Sequence, residues 1–233
     1  MPRSSAPLAL SVVTLTVPGD VQETLSRITA FDDQDFGFNH NQTWNAMPAA
    51  LRGALDPDGV ERSFSRTPVR VQRCIVALCH LGKAEPRHTK KFADYPDAGV
   101  KTVESIDWDP EVRVRVKATC WYVVGSRVVI PVLQPRKTAL DPERLAVYVR
   151  LVRQAYCQGD WIDALVELLD LSGEGDEVTA EAVDIASLPH VSESRIAQYV
   201  QTFVEAKKLA DAKRALREKA PTDVPMAELL GLK

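Results

Sequence analysis

Residues 112–136, VRVRVKATCWYVVGSRVVIPVLQPR, carry the strongest fold signal in the chain. Apolar and mostly polar side chains alternate along the first half of this stretch, which is the pattern of a half-buried β-strand. Gly125-Ser126 suits a two-residue type II′ turn, and residues 128–133 form the return strand,. Pro131 has no N–H to donate, so the return strand is predicted to lie at a sheet edge or to be bulged. The stretch therefore predicts a β-hairpin on which a sheet is built.

Three helix-start signals flank this hairpin. Asp20, with Glu23 three residues later, has the spacing of a capping box,. Thr67-Pro68 and Asp141-Pro142 each place a proline in the first turn of a helix,. Apolar residues follow at helical spacing and predict one buried stripe on each of the last two helices. These stripes are Val71, Cys74, Ile75, Leu78 and Cys79, and Leu145, Tyr148, Val149, Val152 and Tyr156.

The remaining segments are assigned from composition. Residues 8–17 are rich in β-branched side chains and residues 164–171 are strongly apolar, so both are predicted to be strands,. Residues 32–45 are expected to form a polar loop, followed by a short helix over 48–55. Residues 172–177, SGEGDE, are the best candidate for a domain boundary.

Beyond this boundary the pattern predicts helices only, over 179–188 and 192–219. We therefore expect an α+β domain over residues 1–173 and a helical C-terminal segment over 178–233. The sheet of the first domain is antiparallel and centred on the hairpin, and the helices at 68–81 and 141–158 are expected to pack on one of its faces.

The composition is that of an ordinary globular protein, with 45% hydrophobic and 26% charged residues,. A formal net charge of -3 excludes a basic field over the whole chain, so any nucleic acid must be bound by a local patch,. The four cysteines lie among apolar neighbours, as expected of buried free thiols in a cytoplasmic protein,. No apolar run approaches the roughly 18 residues of a transmembrane helix.

Residues 184–200, DIASLPHVSESRIAQYV, resemble the helix-turn-helix pattern of bacterial repressors. Ile185-Ala186, Val191 and Ile196 fall where that pattern packs its two helices together. The sequence departs from it at Pro189 and His190, where a helix-forming apolar residue and a glycine are usual. The resemblance implies that the second helix faces the major groove of DNA with Ser192, Glu193, Ser194, Arg195 and Gln198. The alternative is a pair of packed helices joined by a proline turn.

A second candidate site lies on the hairpin. With a two-residue turn, Lys117 is expected opposite Gln134, and Arg115 opposite Arg136. Side chains in such an array can grip phosphates without reading base sequence. The predicted basic face consists of Arg113, Arg115, Lys117, Arg136 and Lys137. The alternative is that it is solvated, or neutralised by acids nearby, namely Asp107, Asp109, Glu111 and Glu167.

Residues 112–171 also resemble, in the order strand, turn, strand, helix, strand, the core of PD-(D/E)XK-type nucleases. That family requires an aspartate on one strand and an acid-x-Lys motif on the next, to hold a metal ion and activate water. Here the first strand offers Lys117 and the second Leu133-Gln134-Pro135-Arg136. The resemblance therefore covers the order of the elements but not the metal-binding and catalytic residues, and we expect no nuclease activity.

Other chemical motifs are weak. Cys74, Cys79, His80 and His88 could suggest zinc, but both cysteines fall on the apolar stripe of a helix, as core residues do. Asp32, Asp33, Asp35 and His40 are read as a solvated acidic loop. No G-x-S-x-G, P-loop, G-x-G-x-x-G or H-E-x-x-H motif occurs, so no catalytic residue, metal or cofactor is predicted,.

Two functional hypotheses follow. The first is a non-enzymatic, DNA-binding or otherwise nucleic-acid-associated regulator, based on the helix-turn-helix resemblance and the basic face. The second is a protein-interaction module, such as a toxin-type inhibitor or an adaptor acting on the replication or transcription machinery. It is based on the lack of catalytic motifs beside several helices that could dock a partner.

Overall fold

The computed structural model describes residues 7–33, 40–94, 101–109, 112–173 and 178–219. Within them the protein is mixed α+β, which confirms the predicted fold class. The chain divides into two compact units, the first made of Met1–Thr14 with Phe38–Ser192 and the second of Leu15–Gly37 with Glu193–Lys233. The predicted boundary at 172–177 stays a prediction, because residues 174–177 lie outside the described ones. None of the described helices is long and apolar enough to cross a membrane.

The described residues form seven α-helices and seven strands. The helices are α1 Ala9–Leu15, α2 Val21–Asp33, α3 Asn41–Leu51, α4 Pro57–Ser63, α5 Val69–Ala84, α6 Pro142–Tyr156 and α7 Glu193–Lys219. The strands are β1 Lys90–Lys91, β2 Val103–Asp109, β3 Val112–Lys117, β4 Cys120–Val124, β5 Arg127–Gln134, β6 Leu165–Asp170 and β7 Glu181–Ala182.

The main sheet of the first unit has the strand order β1-β4-β5-β6-β7. β4 and β5 form the predicted hairpin, with Val124 opposite Arg127. Gly125 has φ +59°, as the first central position of a type II′ turn requires,. β5 and β6 are parallel and are connected by α6, so their carboxyl ends lie at the same edge of the sheet,. The sheet contains the predicted antiparallel hairpin, and the parallel pair β5 and β6 makes it mixed.

Pro131 lies on a central strand, so its predicted edge position is wrong. The ladder between β4 and β5 ends at the pair Tyr122 and Val129, two residues before the proline. On its other side Pro131 pairs with Glu167 of β6. The missing N–H is tolerated because the antiparallel ladder stops before it is needed.

The predicted long strand over 112–124 is divided between two sheets. β3 pairs with β2 in a separate two-stranded sheet, where Lys117 lies opposite Val103. The backbone N–H of Ala118 bonds both the Thr102 carbonyl and the Tyr156 hydroxyl at 3.0 Å, which fixes the chain at the break. Every second residue from Val114 to Cys120 is fully buried on both sides of the break, so the alternation in the sequence does not reveal it.

This division changes the predicted register. Lys117 does not lie opposite Gln134, nor Arg115 opposite Arg136, because β3 belongs to a different sheet from β5. The five cations of the predicted basic face therefore do not form one array on a hairpin.

Two helices occupy segments for which the sequence predicted other structure. Residues 8–17 were expected to be a strand but contain α1, whose Val12 and Val13 are fully buried. Arg144 Nη1 donates to the Val13 and Thr14 carbonyls at 3.3 and 2.8 Å. These bonds provide partners for carbonyl groups at the end of the helix that have no partner within it,. α3 begins at Asn41 inside the predicted loop and ends at Leu51.

The apolar stripes predicted on α5 and α6 are confirmed, since all their members are buried. α5 packs so closely against α3 that a Cβ at Gly82 would collide with the Ala50 carbonyl. Asp141 caps α6 by accepting a hydrogen bond from the Arg144 N–H at 2.9 Å. α6 packs against β2, β3 and β6, so its buried stripe lies against strands of both sheets.

In the second unit α2 packs against α7. Asp20 accepts a hydrogen bond from the Glu23 N–H at 2.9 Å, which confirms the predicted helix start. The carboxylate of Asp32 accepts from Lys207 at 3.2 Å and from Arg214 at 2.7 Å. Of the predicted acidic loop, Asp35 lies outside the described residues.

Candidate functional site

The first helix of the helix-turn-helix resemblance does not form. Residues 179–188 contain β7, which extends the sheet through Ala182 opposite Leu169, and then a 3-10 turn over Ile185–Ser187. Asp184 caps this turn by accepting from the Ala186 N–H at 3.0 Å. The predicted helix over 179–188 is wrong because the segment pairs with the edge of β6 and is then held by a local aspartate bond.

The second helix of that resemblance is present as α7, which begins directly after Ser192. Ser192 and Ser194 are exposed, and Ile196 is fully buried. Arg195 Nη1 donates to Gln198 Oε1 at 2.7 Å, and its guanidinium lies 5.5 Å from the ring of Tyr199. The two side chains predicted to read base edges therefore bond to each other along the helix surface.

Of the predicted strand cations, Arg113 is bonded to a neighbouring acid, and Arg115 is fixed through its backbone. Arg113 Nε bonds Asp107 Oδ1 at 2.6 Å, although both side chains are more than half exposed. Arg115 is half-buried, and its backbone N–H donates to the Pro7 carbonyl at 2.8 Å. For Arg113 the alternative interpretation applies, because the neighbouring Asp107 neutralises its charge.

Lys117, the last residue of β3, is directed to the start of α3. Its Nζ donates to Asn41 Oδ1 at 2.9 Å and lies 5.8 Å from the ring centre of Trp44. Lys117 is half-buried, and burial lowers its pKa. An amide oxygen and an aromatic face hold this ammonium group in place. Neither carries a net negative charge, so neither neutralises Lys117.

Arg136 lies in the loop that follows β5, and the buried Gln134 side chain organises that loop. Gln134 Oε1 accepts from the Arg136 N–H at 2.7 Å, and its Nε2 donates to the Thr138 carbonyl at 3.0 Å. Arg136 is half-buried, and burial lowers its pKa. The neighbouring Lys137 is exposed.

Arg70, in the first turn of α5, completes this edge of the sheet. Its guanidinium donates to the carbonyls of Leu171, Gly173 and Arg136, which tie together the chain segments after β6 and β5. Its Nε is buried without a hydrogen-bond partner. Carbonyl oxygens orient the guanidinium without cancelling its charge.

His40, immediately before α3, lies close enough to both guanidiniums to feel their charge. Burial, followed by the positive charges of Arg136 and Arg70, lowers its pKa to about 4. The imidazole is therefore neutral near pH 7, and its Nδ1 is buried without a hydrogen-bond partner. We call Arg70, Lys117 and Arg136, which lie around the neutral His40 and its neighbour Asn41, the cationic cluster.

The cationic cluster lies at the carboxyl edge of the parallel pair β5 and β6. Arg136 follows β5, and Arg70 bonds the carbonyl directly after β6. A carboxylate is present at the same edge: Asp170, opposite Gln134, accepts from the Ser172 N–H at 2.8 Å. Ligands of open α/β sheets bind at this end of parallel strands, and a cluster of fixed cations there can hold an anion such as a phosphate.

The sequence predicts two members of the cationic cluster, Lys117 and Arg136, but for a geometry that does not form. It misses Arg70 because this residue lies beside the apolar stripe of α5 and resembles any exposed helix cation. It groups His40 with Asp32, Asp33 and Asp35 of the predicted acidic loop instead. The crossover from β5 through α6 to β6 brings the chain segments after these two strands together. No local sequence pattern predicts this crossover.

The predicted zinc alternative gains no support. Cys74 and Cys79 are fully buried on α5, and burial raises the pKa of each thiol to about 11. Within the described ranges no group of three or more histidine, cysteine, aspartate or glutamate side chains could hold a metal ion. The four cysteines are free thiols.

No protein-family model matches the chain, and no curated protein or solved structure is significantly similar to it. The geometry of the first unit is therefore the basis for a functional assignment.

Proposed function

We propose that the protein is a non-enzymatic, nucleic-acid-associated regulator that holds a phosphate backbone with the cationic cluster. The observation that carries the proposal is that cations from three separate elements reach two adjacent residues at the start of α3: Lys117 of β3 bonds Asn41, and Arg70 of α5 and Arg136 after β5 lie close to His40. Arginine binds phosphate through paired N–H donors, and lysine binds it as a point charge.

The local character of the site agrees with the overall charge. A chain with a net charge of -3 is not attracted to nucleic acid as a whole, so binding depends on few phosphate contacts,. Such contacts fix the position of the backbone without reading base sequence. We expect weak, salt-sensitive binding that depends little on sequence.

A titration of a fluorescent single-stranded oligonucleotide by anisotropy tests this proposal. Between about 50 and about 200 mM salt the affinity is expected to fall steeply, and Lys117→Gln is expected to reduce the salt slope by about 0.7. Arg113→Gln is the matched control, because that cation lies on the same strand but is bonded to Asp107. Absence of binding at low salt, or equal effects of the two variants, would contradict the proposal.

A specific feature also favours the second hypothesis, a protein-binding adaptor. At the opposite end of the main sheet, four apolar side chains are between 36% and 70% exposed. They are Val123, Val124, Ile162 and Leu165. Aspartate at both Val124 and Ile162 would abolish capture of a stoichiometric protein partner from lysate, whereas Lys117→Gln would not. Unchanged capture by the double variant would reject this role for the apolar end.

A further inference from the structure

A cavity opens between α3 and the segment that enters α5. Its volume is about 470 Å³, which lies within the range of about 300–1,000 Å³ found for ligand pockets,. The walls come from the first turns of α3 and from the segment that joins α4 to α5. We call it the α3–α5 pocket.

The wall formed by the α4–α5 segment is fixed in place. The Thr67 N–H donates to the Phe64 carbonyl at 2.8 Å, which closes a tight turn. Gln72 Nε2 of α5 then donates to the carbonyls of Phe64 and Thr67 at 3.1 and 2.8 Å. The backbone of this wall is therefore ordered before any ligand arrives, which lowers the entropic cost of binding.

The side chains of the α3–α5 pocket have unused hydrogen-bonding capacity. Gln42 and Asn45 lie three residues apart on α3, so both amides project from one face of the helix,. Arg66, Ser63 and Ser65 line the opposite wall. In the part of the chain that the structure describes, none of these five side chains forms a hydrogen bond or an ion pair.

The lining chemistry favours a nucleobase as the ligand. Phe64 supplies an aromatic ring, and aromatic rings stack on unstacked bases of any sequence,. Asparagine and glutamine amides can bond the donor and acceptor pairs on base edges. Arg66 adds a planar cation, and none of the lining residues carries a carboxylate that would repel a phosphate.

The pocket and the cationic cluster share two elements. Gln42 follows Asn41, the residue that bonds Lys117, in the first turn of α3. Arg66 precedes Arg70 by four residues where the chain enters α5. Asn45 of the pocket lies four residues after Asn41, so these two side chains lie on the same face of α3,.

We propose that the α3–α5 pocket receives one unstacked base of a single-stranded nucleic acid whose phosphates lie on the cationic cluster. This inference rests on the proposed function and adds a preference for single strands over duplexes. Inside a duplex the bases are stacked and paired, so a base can enter the pocket only after it has been flipped out.

Three fluorescent ligands of equal length test the inference by anisotropy at about 50 mM salt: a single-stranded DNA, its duplex and an abasic strand. The intact protein is expected to bind the single strand at least fivefold more tightly than the other two. Phe64→Leu, which retains an apolar side chain, is expected to lower single-strand affinity by about fivefold to a hundredfold. Its affinity for the duplex and for the abasic strand is expected to stay unchanged.

Phe64→Tyr and Phe31→Ala provide the controls. The tyrosine retains an aromatic ring and is expected to restore single-strand binding, and Phe31 is an exposed aromatic residue of the second unit, outside the pocket. Equal, salt-dependent binding of all three ligands would overturn the base pocket and leave the proposed function intact. Absence of binding to every ligand would overturn both.

Discussion

Lys117 and Asn41 are joined by a hydrogen bond of 2.9 Å from Nζ to Oδ1, although they lie 76 positions apart in the sequence. This contact connects the end of β3 with the start of α3, and it places an ammonium group beside the rest of the cationic cluster. The partner is an amide, so the bond orients Lys117 without neutralising it.

Replacement of that amide by a carboxylate gives the first prediction. Asn41→Asp would form an ion pair with Lys117, and we expect nucleic-acid affinity at about 50 mM salt to fall about three- to tenfold. An acidic residue in the first turn also favours the helix dipole, so the melting temperature is expected to stay the same or to rise. Anisotropy and thermal unfolding together check this outcome, with Asn41→Ser as the uncharged control. A loss of affinity accompanied by a lower melting temperature would point to damage to the fold instead.

His40 gives the second prediction, which concerns pH. Its pKa of about 4 lies below the ordinary 6.5, so the unfolded chain binds the proton more tightly than the folded one. The contribution of neutral His40 to the free energy of unfolding is therefore fully present above about pH 6.5 and is lost as the pH falls toward 4. Because His40 is partly exposed, we expect a loss of about 1–3 kcal/mol.

His40→Gln removes the titrating group. Urea unfolding of this variant between pH 5 and 7.5 is expected to show a flatter dependence on pH than the parent protein. His80→Gln, which changes an exposed histidine, is expected to leave the dependence unchanged. If both variants follow the parent curve, burial and the cationic neighbours do not hold His40 neutral in the folded protein.

The sequence predicts elements well where one local signal determines them. The hairpin turn at Gly125, the cap at Asp141 and the apolar stripe around Leu78 are all found in the structure, because each depends on residues a few positions apart. The break after Lys117 is different. It depends on the Tyr156 hydroxyl, which lies almost forty residues away in the sequence.

The candidate site shows the same limit. Lys117 and Arg136 are noticeable in the sequence as cations on a strongly patterned stretch, but Arg70 belongs to the site only because α5 begins at the sheet edge where β5 and β6 end. The helix predicted over 179–188 fails for a similar reason, since a free edge of β6 is invisible in the local sequence. Tertiary pairing overrides propensity at these positions.

The third prediction concerns Gln134, which is fully buried and bonds the loop carrying Arg136. Gln134→Leu removes the acceptor of the Arg136 N–H and the donor to Thr138, so buried backbone groups lose their partners. We expect the free energy of unfolding to fall by about 1–3 kcal/mol. We also expect weaker nucleic-acid binding, because Arg136 is no longer held. Lys137→Gln is the control in urea unfolding, since it removes an exposed charge from the same loop without changing the buried bonds. Equal stabilities of the two variants would refute the role of Gln134.

The last prediction separates a structural polar cluster from the candidate site. Glu167 accepts from Arg87 at 2.7 Å and from the Tyr122 hydroxyl at 2.9 Å, and the two charged side chains are only 10% and 14% exposed. Burial, followed by the negative charge of Glu167, raises the pKa of Tyr122 above its ordinary value, so the phenol remains a donor. These three side chains therefore connect the segment after α5 to β4 and β6 of the main sheet.

Breaking this cluster at its centre is expected to destabilise the protein most. Glu167→Gln leaves the guanidinium of Arg87 without its buried counter-charge, and we expect a loss of about 2–4 kcal/mol in urea unfolding. Tyr122→Phe removes a single hydrogen bond while the ion pair persists, so the expected loss is about 1–2 kcal/mol. Glu85→Gln is the matched control, because Glu85 lies 3.7 Å from Arg87 but is 75% exposed, and its loss should have little effect,. When the three variants are folded, we expect each to retain salt-dependent oligonucleotide binding, since none of these residues belongs to the cationic cluster. A folded Glu167→Gln protein that no longer binds would show that the binding site extends across the sheet.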